Sequence, residues 1–579
     1  MRILGISCHY HDAAATLVLD GRVAAAAEEE RFTRRKHDAS FPRHAARWCL
    51  EEAGLVAKDL DHVVFYEKPL LKFERIISGY AAVFPGSAPV FVRAMRAWLR
   101  EKLWIESEMR RELAFRGPLL FGEHHLSHAA SAFYPSPFQQ AAVVTADGVG
   151  EWATTTIGVG DGLDLGLIRE IRYPHSLGLL YSAFTAYLGF EVNEGEYKVM
   201  GMAAYGQPRY IDRVQRVVRL LEDGSYRLDM RYFAYQRSMR AYGQAFLELF
   251  GPPRQPGDEI DQHAADIAAS VQLVLEHAML ALARTARALT GLDNLCLAGG
   301  VALNVLANAR IAREAGFKRV WIQPAAGDSG GSMGAALHVA HAIGRDPRVK
   351  MVSAKLGPDC SDQEVFALLE RERIAHRVVT PEELIAETAA RLAAGQVVGW
   401  CRGRMEFGPR ALGSRSILAD PTDERMKDIV NLKIKHREPF RPFAPSVTAE
   451  AASTYFQLTS DSPFMLLAVP VRPEWRERLP AITHADGTAR VHTVDSGIDP
   501  TYHALLREFS RRRGVPVLMN TSFNLRGEPI VRTAAEAFNT FSHTELDFLV
   551  LGPTIIEASA KRALAPYPGG KAISPEVVI

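Results

Sequence analysis

Two stretches far apart in the chain follow one pattern of apolar strand, turn bearing aspartate and glycine, and second strand. The first is "RILGISCHYHDAAATLVLDGRVAAAAEEERF"; the second is "AAVVTADGVGEWATTTIGVGDGLDL", from residue 141. A recurring unit of this kind predicts a duplicated α/β core rather than one continuous sheet. In the first copy the pattern reads as two strands around Asp20-Gly21, with His9 to Asp12 as a polar insertion. Further on, "DNLCLAGGVALNVLANARIAREAG" and "RVWIQPAAGDSGGSMGAALHVAHAIG" each read as strand, glycine turn and helix. Residues 70 to 115 are helical in pattern, apolar and basic, and are expected to form an insertion or lid. A chain of 579 residues exceeds one core and calls for roughly two to four domains. Periodicity lapses in "GRDPRVKMVSAKLGPDCSDQEV", which reads as a linker. Domains are therefore expected at 1–350 and 360–579.

The net charge of +1, with 47% hydrophobic and 23% charged residues, fits an ordinary globular enzyme. That balance advertises neither a nucleic-acid nor a membrane partner. The five cysteines (Cys8, Cys49, Cys296, Cys360, Cys401) form no C-x-x-C pair, against both a disulfide framework and a thiolate metal site. The uncharged apolar run "IISGYAAVFPGSAPVFV" contains two prolines and two glycines, which makes it a poor membrane helix. A reducing cytoplasm is the expected location.

The chain has only 19 histidines, yet "EHHLSHAASAFYPSPF" places His124, His125 and His128 together. In a helix His124 and His128 stand at i and i+4 on one face, while His125 points about a quarter-turn away. Asp147 sits at a strand end in "TADG", and Asp328 opens the glycine loop "GDSGG". If the two lobes face one another, two His and two Asp form a mixed shell for a divalent metal, iron(II) first, with manganese or zinc as alternatives. A hydrogen-bonded helix start, an Asp-Gly turn and a helix N-cap are the ordinary roles of these residues, and spacing alone leaves both readings open. The loop "AGGVALN", with Gly299, Gly300 and Asn304, and the loop at 327–336 each let backbone approach a ligand and lead into a helix N-terminus, which favours anionic oxygen. Two such loops in a duplicated core resemble the actin, sugar-kinase and Hsp70 superfamily, whose two ribonuclease-H-like lobes close over a nucleotide.

The C-terminal half carries a basic cluster. Arg410 lies in "FGPRALG", Arg415 in "GSRS", and Lys433, Lys435, Arg437 and Arg441 follow in and around "KHREPF". Asn520, Ser522 and Asn524 of "MNTSFN" follow a buried strand. Guanidinium forks bind phosphate oxygens bidentately and lysine acts as a point charge, so these residues are candidates for holding a polyanion. A solvated basic face and a polar turn are the plain alternatives.

At greater length, "HDAAATLV", "EEERFTRRKH", "EHHLSHAASAFYPSPF", "GEYKVMGMAAYG", "CLAGGVALN", "FGPRALGSRSILADP", "KHREPFRPFAPSV" and "MNTSFNLRGEPIV" resemble the O-carbamoyltransferases of nodulation-factor and antibiotic biosynthesis. The resemblance spans nearly the whole chain except 70–115. It implies an N-terminal domain like the tRNA threonylcarbamoyl-transfer enzyme, with an H-x-x-x-H metal site that makes His124 and His128 ligands and His125 a structural neighbour; Asp147 and Asp328 are the carboxylates expected to complete it. It also implies a C-terminal YrdC-like α/β domain, as in threonylcarbamoyl-adenylate synthase. The implied activity is ATP-dependent: carbamoyl phosphate and ATP, with Mg2+, yield carbamoyl-adenylate, and the carbamoyl group passes to a hydroxyl of a small-molecule acceptor. Under that scheme His11 is a candidate general base, Asp12 its orienting partner, and Lys36 a holder of the intermediate's phosphate. The alternatives are a tRNA threonylcarbamoyl-modifying enzyme, disfavoured by the absence of a basic stripe, and a non-transferring nucleotide-binding regulator. The resemblance leaves a homodimer open.

Overall fold

A computed structural model describes residues 1–562 apart from Glu101 and Pro439. Its described residues divide into two compact units: 1–29 with 39–351, and 30–38 with 352–562. Residues 30–38, expected within the N-terminal domain, thus belong to the second unit. There Arg34 donates to the carbonyls of Pro529 and Ile530, each at 2.8 Å, and pairs with Glu536 at 3.1 Å.

The first unit contains two five-stranded sheets of the same topology. Strands β1 (Arg2–Ser7), β2 (Ala14–Leu19) and β3 (Arg22–Glu28) form an antiparallel meander. Strands β4 (His62–Phe65) and β5 (Leu119–Phe121) add parallel to β1, giving the order β3-β2-β1-β4-β5. Strands β6 (Gln140–Ala146), β7 (Ala153–Asp161) and β8 (Asp164–Arg172) repeat the meander. The strands Asn294–Ala298 and Arg319–Ile322 then extend it in parallel from β6. The expected ribonuclease-H-like duplication is therefore present in strand order and direction.

One detail differs from the sequence reading. His9 to Asp12 is not an insertion within a strand but the reversal between β1 and β2. His9 (φ 73°) and Asp12 (φ 50°) take left-handed backbone there, which histidine and aspartate tolerate better than branched residues. Asp20 and Gly21, both at positive φ, make the next turn, as a two-residue hairpin demands. The repeated unit is thus three strands rather than two, and the His9–Asp12 turn corresponds to the Asp147–Trp152 turn of the second copy.

The helices His124–Phe133 and Asp328–His338 pack on one another, the first against β6 and the second against β1 and β2. Glycine permits this fit. A Cβ on Gly334 would stand 1.7 Å from the carbonyl oxygen of Ser127, and one on Gly5 would stand 1.9 Å from that of Ser332. Both distances are far inside contact range. Gly334→Ala is expected to cost roughly 3 kcal/mol or more by overpacking and to lower the unfolding midpoint of the first unit by several degrees. A wild-type midpoint would show that the helices separate at no cost.

The 70–115 segment is helical as expected, with helices Pro69–Ala81, Ala88–Arg100 and Ile105–Leu113 between β4 and β5. Ile76, Tyr80, Val90, Ala94 and Trp98 give it a small core of its own. A second helical region separates β8 from Asn294. Its helix Gln262–Thr290 is long and apolar enough to cross a membrane by length and composition, but most of that apolar window is buried inside the protein.

The second unit is built on a nine-stranded mixed sheet. Its order is Arg377–Val378, Thr554–Glu557, Phe548–Leu551, Val398–Cys401, Arg415–Ala419, Val517–Ser522, Ala444–Thr448, Thr488–Val494, Leu467–Pro470. The division between units falls after Met351, inside the expected linker.

Candidate metal centre and anion cluster

The helix His124–Phe133 opens on a backbone N–H that donates to Glu151 at 3.1 Å. One turn of helix separates His124 from His128, and their Nε2 atoms lie 3.1 Å apart. Asp147, at the end of β6, puts Oδ2 3.0 Å from Nε2 of His124 and 3.2 Å from that of His128. Asp328 puts Oδ1 at 3.7 and 3.5 Å from the same two nitrogens. Gly327, not Asp328, holds the N-cap position of that helix, so the N-cap role does not account for Asp328. The four donor atoms lie within 4.8 Å of one another. With bonds of about 2.0–2.1 Å, a tetrahedral ion needs ligand atoms roughly 3.3 Å apart, and these separations scatter around that value. Two imidazoles and two carboxylates are a suitable donor set for iron(II), manganese(II) or zinc(II).

The surroundings fix this arrangement. Asp147 Oδ1 accepts the Gly300 N–H at 3.1 Å, and Asp328 Oδ2 accepts the Tyr66 hydroxyl at 3.4 Å. Glu67, just past β4, lies 3.5 Å from His124 Nδ1 and takes a 2.7 Å bond from Lys72. A carboxylate on Nδ1 leaves Nε2 free to coordinate. Burial pushes the Glu67 carboxyl up, but Lys72 and His124 overcome it and bring it down to about 2. Burial disfavours charge on His124 and His128; Asp147 and Glu67 nonetheless carry His124 up to about 10, and Asp147 and Asp328 raise His128. The pocket is an electronegative sink that only positive charge satisfies. His125 turns away to Thr145, with Nδ1 at 2.7 Å from its hydroxyl, and burial with the two neighbouring imidazoles drives its pKa well down.

His11 and Asp12 stand on the β1–β2 turn, with Nδ1 and Oδ2 2.9 Å apart and Tyr10 against the imidazole at 4.6 Å between ring centroids. Burial works against charge on His11, yet Asp12, and behind it Asp328 and Asp147, raise it to about 9. His11 therefore faces the same carboxylates as the histidine pair. Sequence reading missed Tyr10, Tyr66, Glu67 and Glu151. A carboxylate directly after β4, at a strand end as Asp147 is, was the available signal for Glu67.

The nucleotide candidates of the first unit have local duties. Asn304 caps the helix Val305–Glu314 through Ala307 N–H at 3.0 Å and trades amide bonds with Gln272 at 2.9 Å. Its side chain is committed within the protein, which corrects its expected ligand role. Gly299 and Gly300 instead bring backbone onto β6 and Asp147.

In the second unit Lys435 is buried, with its amine 2.8 Å from the carbonyls of Ser522 and Asn524 and 2.6 Å from Asn524 Oδ1. Ser522 Oγ donates to the same oxygen at 2.8 Å. Burial lowers the Lys435 pKa well below the usual lysine range, and Arg437, Arg441 and Lys36 lower it further. Lys36 thus belongs to this cluster of the second unit. Arg490, on Thr488–Val494, was missed in the sequence. Its Nε is shut off from solvent, and it makes no hydrogen bond or ion pair among the described residues. Burial, then Arg410, Arg437 and Arg441, drive its pKa far down. Asn520 donates to Ala411 O and Ser446 Oγ while its Oδ1 stays buried without a partner. Arg437 donates to Asn431 Oδ1 at 2.7 Å and Arg441 lies 3.7 Å from Glu438, yet the cations act on one another, a concentration of positive charge that suits an oxyanion.

Two expected members do not join. Arg415 is fully buried and spends its donors on the carbonyls of Pro358, Arg402, Gly403, Ser414 and Arg532, at 2.8 to 3.4 Å. It holds loops together and has no fork to offer a ligand. Lys433 is mostly exposed, 3.8 Å from Glu545.

Comparison with known proteins agrees with this two-part layout. Residues 2–337 match the family model described as carbamoyltransferase N-terminus, and residues 389–558 match the carbamoyltransferase C-terminus model. The Synechocystis sp. protein sll1178 is 49% identical, covering 96% of this chain and 97% of its own. Nodulation protein NolNO of Sinorhizobium fredii is 39% identical over 96% of this chain and 80% of its own. Nodulation protein U of Rhizobium tropici is 30% identical over 93% of both.

Proposed function

This chain belongs to the carbamoyltransferase family, and from that premise we propose an ATP-dependent O-carbamoyltransferase acting on a hydroxyl of a small-molecule acceptor. The observation that carries this reading is the concentration of cations in the second unit, where Arg437, Arg441 and Lys36 act on Lys435, and Arg410, Arg437 and Arg441 act on Arg490. Phosphoryl chemistry is catalysed chiefly by such positioning and charge neutralisation.

In the second unit carbamoyl phosphate gives up its phosphate to water, leaving carbamate. A carbamate oxygen then attacks the α-phosphorus of Mg2+-bound ATP; the bond to the β-phosphate breaks and pyrophosphate leaves. The product, carbamoyl-adenylate, has the leaving group that carbamate lacks. Arg490 and Arg410 would fork onto phosphate oxygens, and Lys435 holds Ser522 and Asn524 in position.

In the first unit the acceptor hydroxyl attacks the carbamoyl carbon and AMP departs. A divalent ion, iron(II) first, held by His124, His128, Asp147 and Asp328, would supply Lewis-acid neutralisation of an anionic oxygen. His11 takes the hydroxyl proton, and Asp12 orients its ring. With a pKa of about 9 the free His11 is an imidazolium, so it becomes a base where the field of Asp147 and Asp328 is compensated. The test is pyrophosphate release by the intact chain with ATP, with and without carbamoyl phosphate, alongside mass spectrometry of an alcohol library for gain of one carbamoyl group. Release that needs carbamoyl phosphate is expected. His11→Ala should keep that release but lose about 10²- to 10⁴-fold in transfer. Release independent of carbamoyl phosphate, or abolished by His11→Ala, would overturn the two-site scheme.

A further inference from the structure

Arg75, on the insertion helix Pro69–Ala81, is 3% exposed and makes no hydrogen bond and no ion pair among the described residues; its Nε is sealed from solvent. Its one close partner is the face of Tyr173, 5.0 Å from the guanidinium carbon to the ring centroid. Buried guanidinium groups are ordinarily saturated. Arg415 is as deeply buried and meets five different carbonyls. Lys72, one turn before Arg75, is also satisfied, because its amine donates to Glu67 at 2.7 Å. Arg75 alone on this helix face carries an unmatched charge into the protein.

Its surroundings connect it to the histidine–aspartate cluster. Beside burial, Tyr173, Glu67, Tyr10 and Tyr80 act most on the Arg75 charge. Glu67 is the carboxylate 3.5 Å from His124 Nδ1. Tyr10 packs on His11 and has the Lys72 amine 5.4 Å from its ring centroid. Three tyrosines and one carboxylate already bound by Lys72 make low-dielectric surroundings in which the Arg75 fork has no acceptor. That chemistry selects a compact oxyanion, phosphate or carboxylate, which a guanidinium binds through two parallel bonds.

We propose that Arg75 is the anion-binding residue of a subsite beside the histidine–aspartate cluster, receiving an oxyanion of a ligand on which that cluster acts. Resting on the proposed function, the oxyanion has two sources: the phosphate of the adenylate, or an anionic group carried by the acceptor alcohol. In the second case the insertion restricts the acceptors to anionic alcohols.

The experiment compares the intact chain with Arg75→Met and Arg75→Lys, titrating each with inorganic phosphate and with AMP and reading the thermal unfolding midpoint. Both are binding measurements, so they stand whether or not the chain makes carbamoyl-adenylate, and binding to the second unit cancels in the comparison. In phosphate-free buffer Arg75→Met is expected to unfold no lower than wild type, because an unmatched buried charge is gone. Its apparent phosphate affinity at this subsite should fall about tenfold or more, the worth of a charge-assisted hydrogen bond, with partial recovery in Arg75→Lys. Loss of both the phosphate and the AMP response assigns the subsite to the adenylate. Loss of the phosphate response alone assigns it to the acceptor. Identical responses in wild type and Arg75→Met, or a midpoint that falls in Arg75→Met with responses kept, would make Arg75 a packing residue and overturn the proposal.

Discussion

His128→Ala is expected to lose its bound divalent metal and to transfer carbamoyl groups at less than about a hundredth of the wild-type rate, while His125→Ala keeps both. Loss of a residue that merely supports a metal ligand costs about 10- to 100-fold in affinity or activity, and loss of the ligand itself costs more. His128 Nε2 is one of four donor atoms within 4.8 Å. Without it, Asp147 and Asp328 keep their charges but face a single imidazole. His125 has the same chemistry and lies three positions away, yet its ring bonds Thr145 on the sheet side. Its removal costs a buried hydrogen bond, about 1–2 kcal/mol of stability, and no ligand. Elemental analysis of anaerobically purified variants reads the difference. Equal metal content in the two variants, whether full or lost, would remove the site.

The contrast between these histidines was legible in the sequence because helical period alone separates i+1 from i+4. The duplication was legible for a similar reason: strand, turn and strand leave a period-two pattern that survives anywhere in a chain. The strand count within each copy was not. His9 to Asp12 carries no glycine or proline, and only the left-handed backbone of His9 and Asp12 discloses a reversal. In the second unit, glycine-flanked arginines drew attention, yet Arg415 proved to be a clamp on carbonyls. Residue type and neighbours do not say which way a guanidinium points. Arg490 lies in "TARVHTV", where strand alternation is clear but gives no sign that an arginine beside Val491 and His492 turns toward other cations. Long-range charge convergence is a property of sheet order, and that order sets 444–448 between 488–494 and 517–522.

Arg490→Met and Arg415→Met are expected to fail in opposite ways. Arg490 is repelled by Arg410, Arg437 and Arg441 and holds no acceptor. Arg490 is half-buried, and replacing a charge without an acceptor there by an apolar side chain is near neutral, so the unfolding midpoint should hold. Carbamoyl-phosphate-dependent pyrophosphate release should nevertheless fall by about 10²- to 10³-fold, the usual cost of deleting one preorganised donor to a developing oxyanion. Arg415 is the reverse case. Its guanidinium satisfies carbonyls from five residues, among them Pro358 and Arg532 from distant parts of the second unit. Arg415→Met strands those oxygens in the interior, and each unsatisfied group costs about 1–3 kcal/mol. The second unit should therefore lose its cooperative unfolding transition before catalysis can be assayed. Protein that binds phosphate pays for the site in stability, and the two arginines divide along that line. Full pyrophosphate release by Arg490→Met would place the polyanion elsewhere, and wild-type stability in Arg415→Met would show that its carbonyls find water instead.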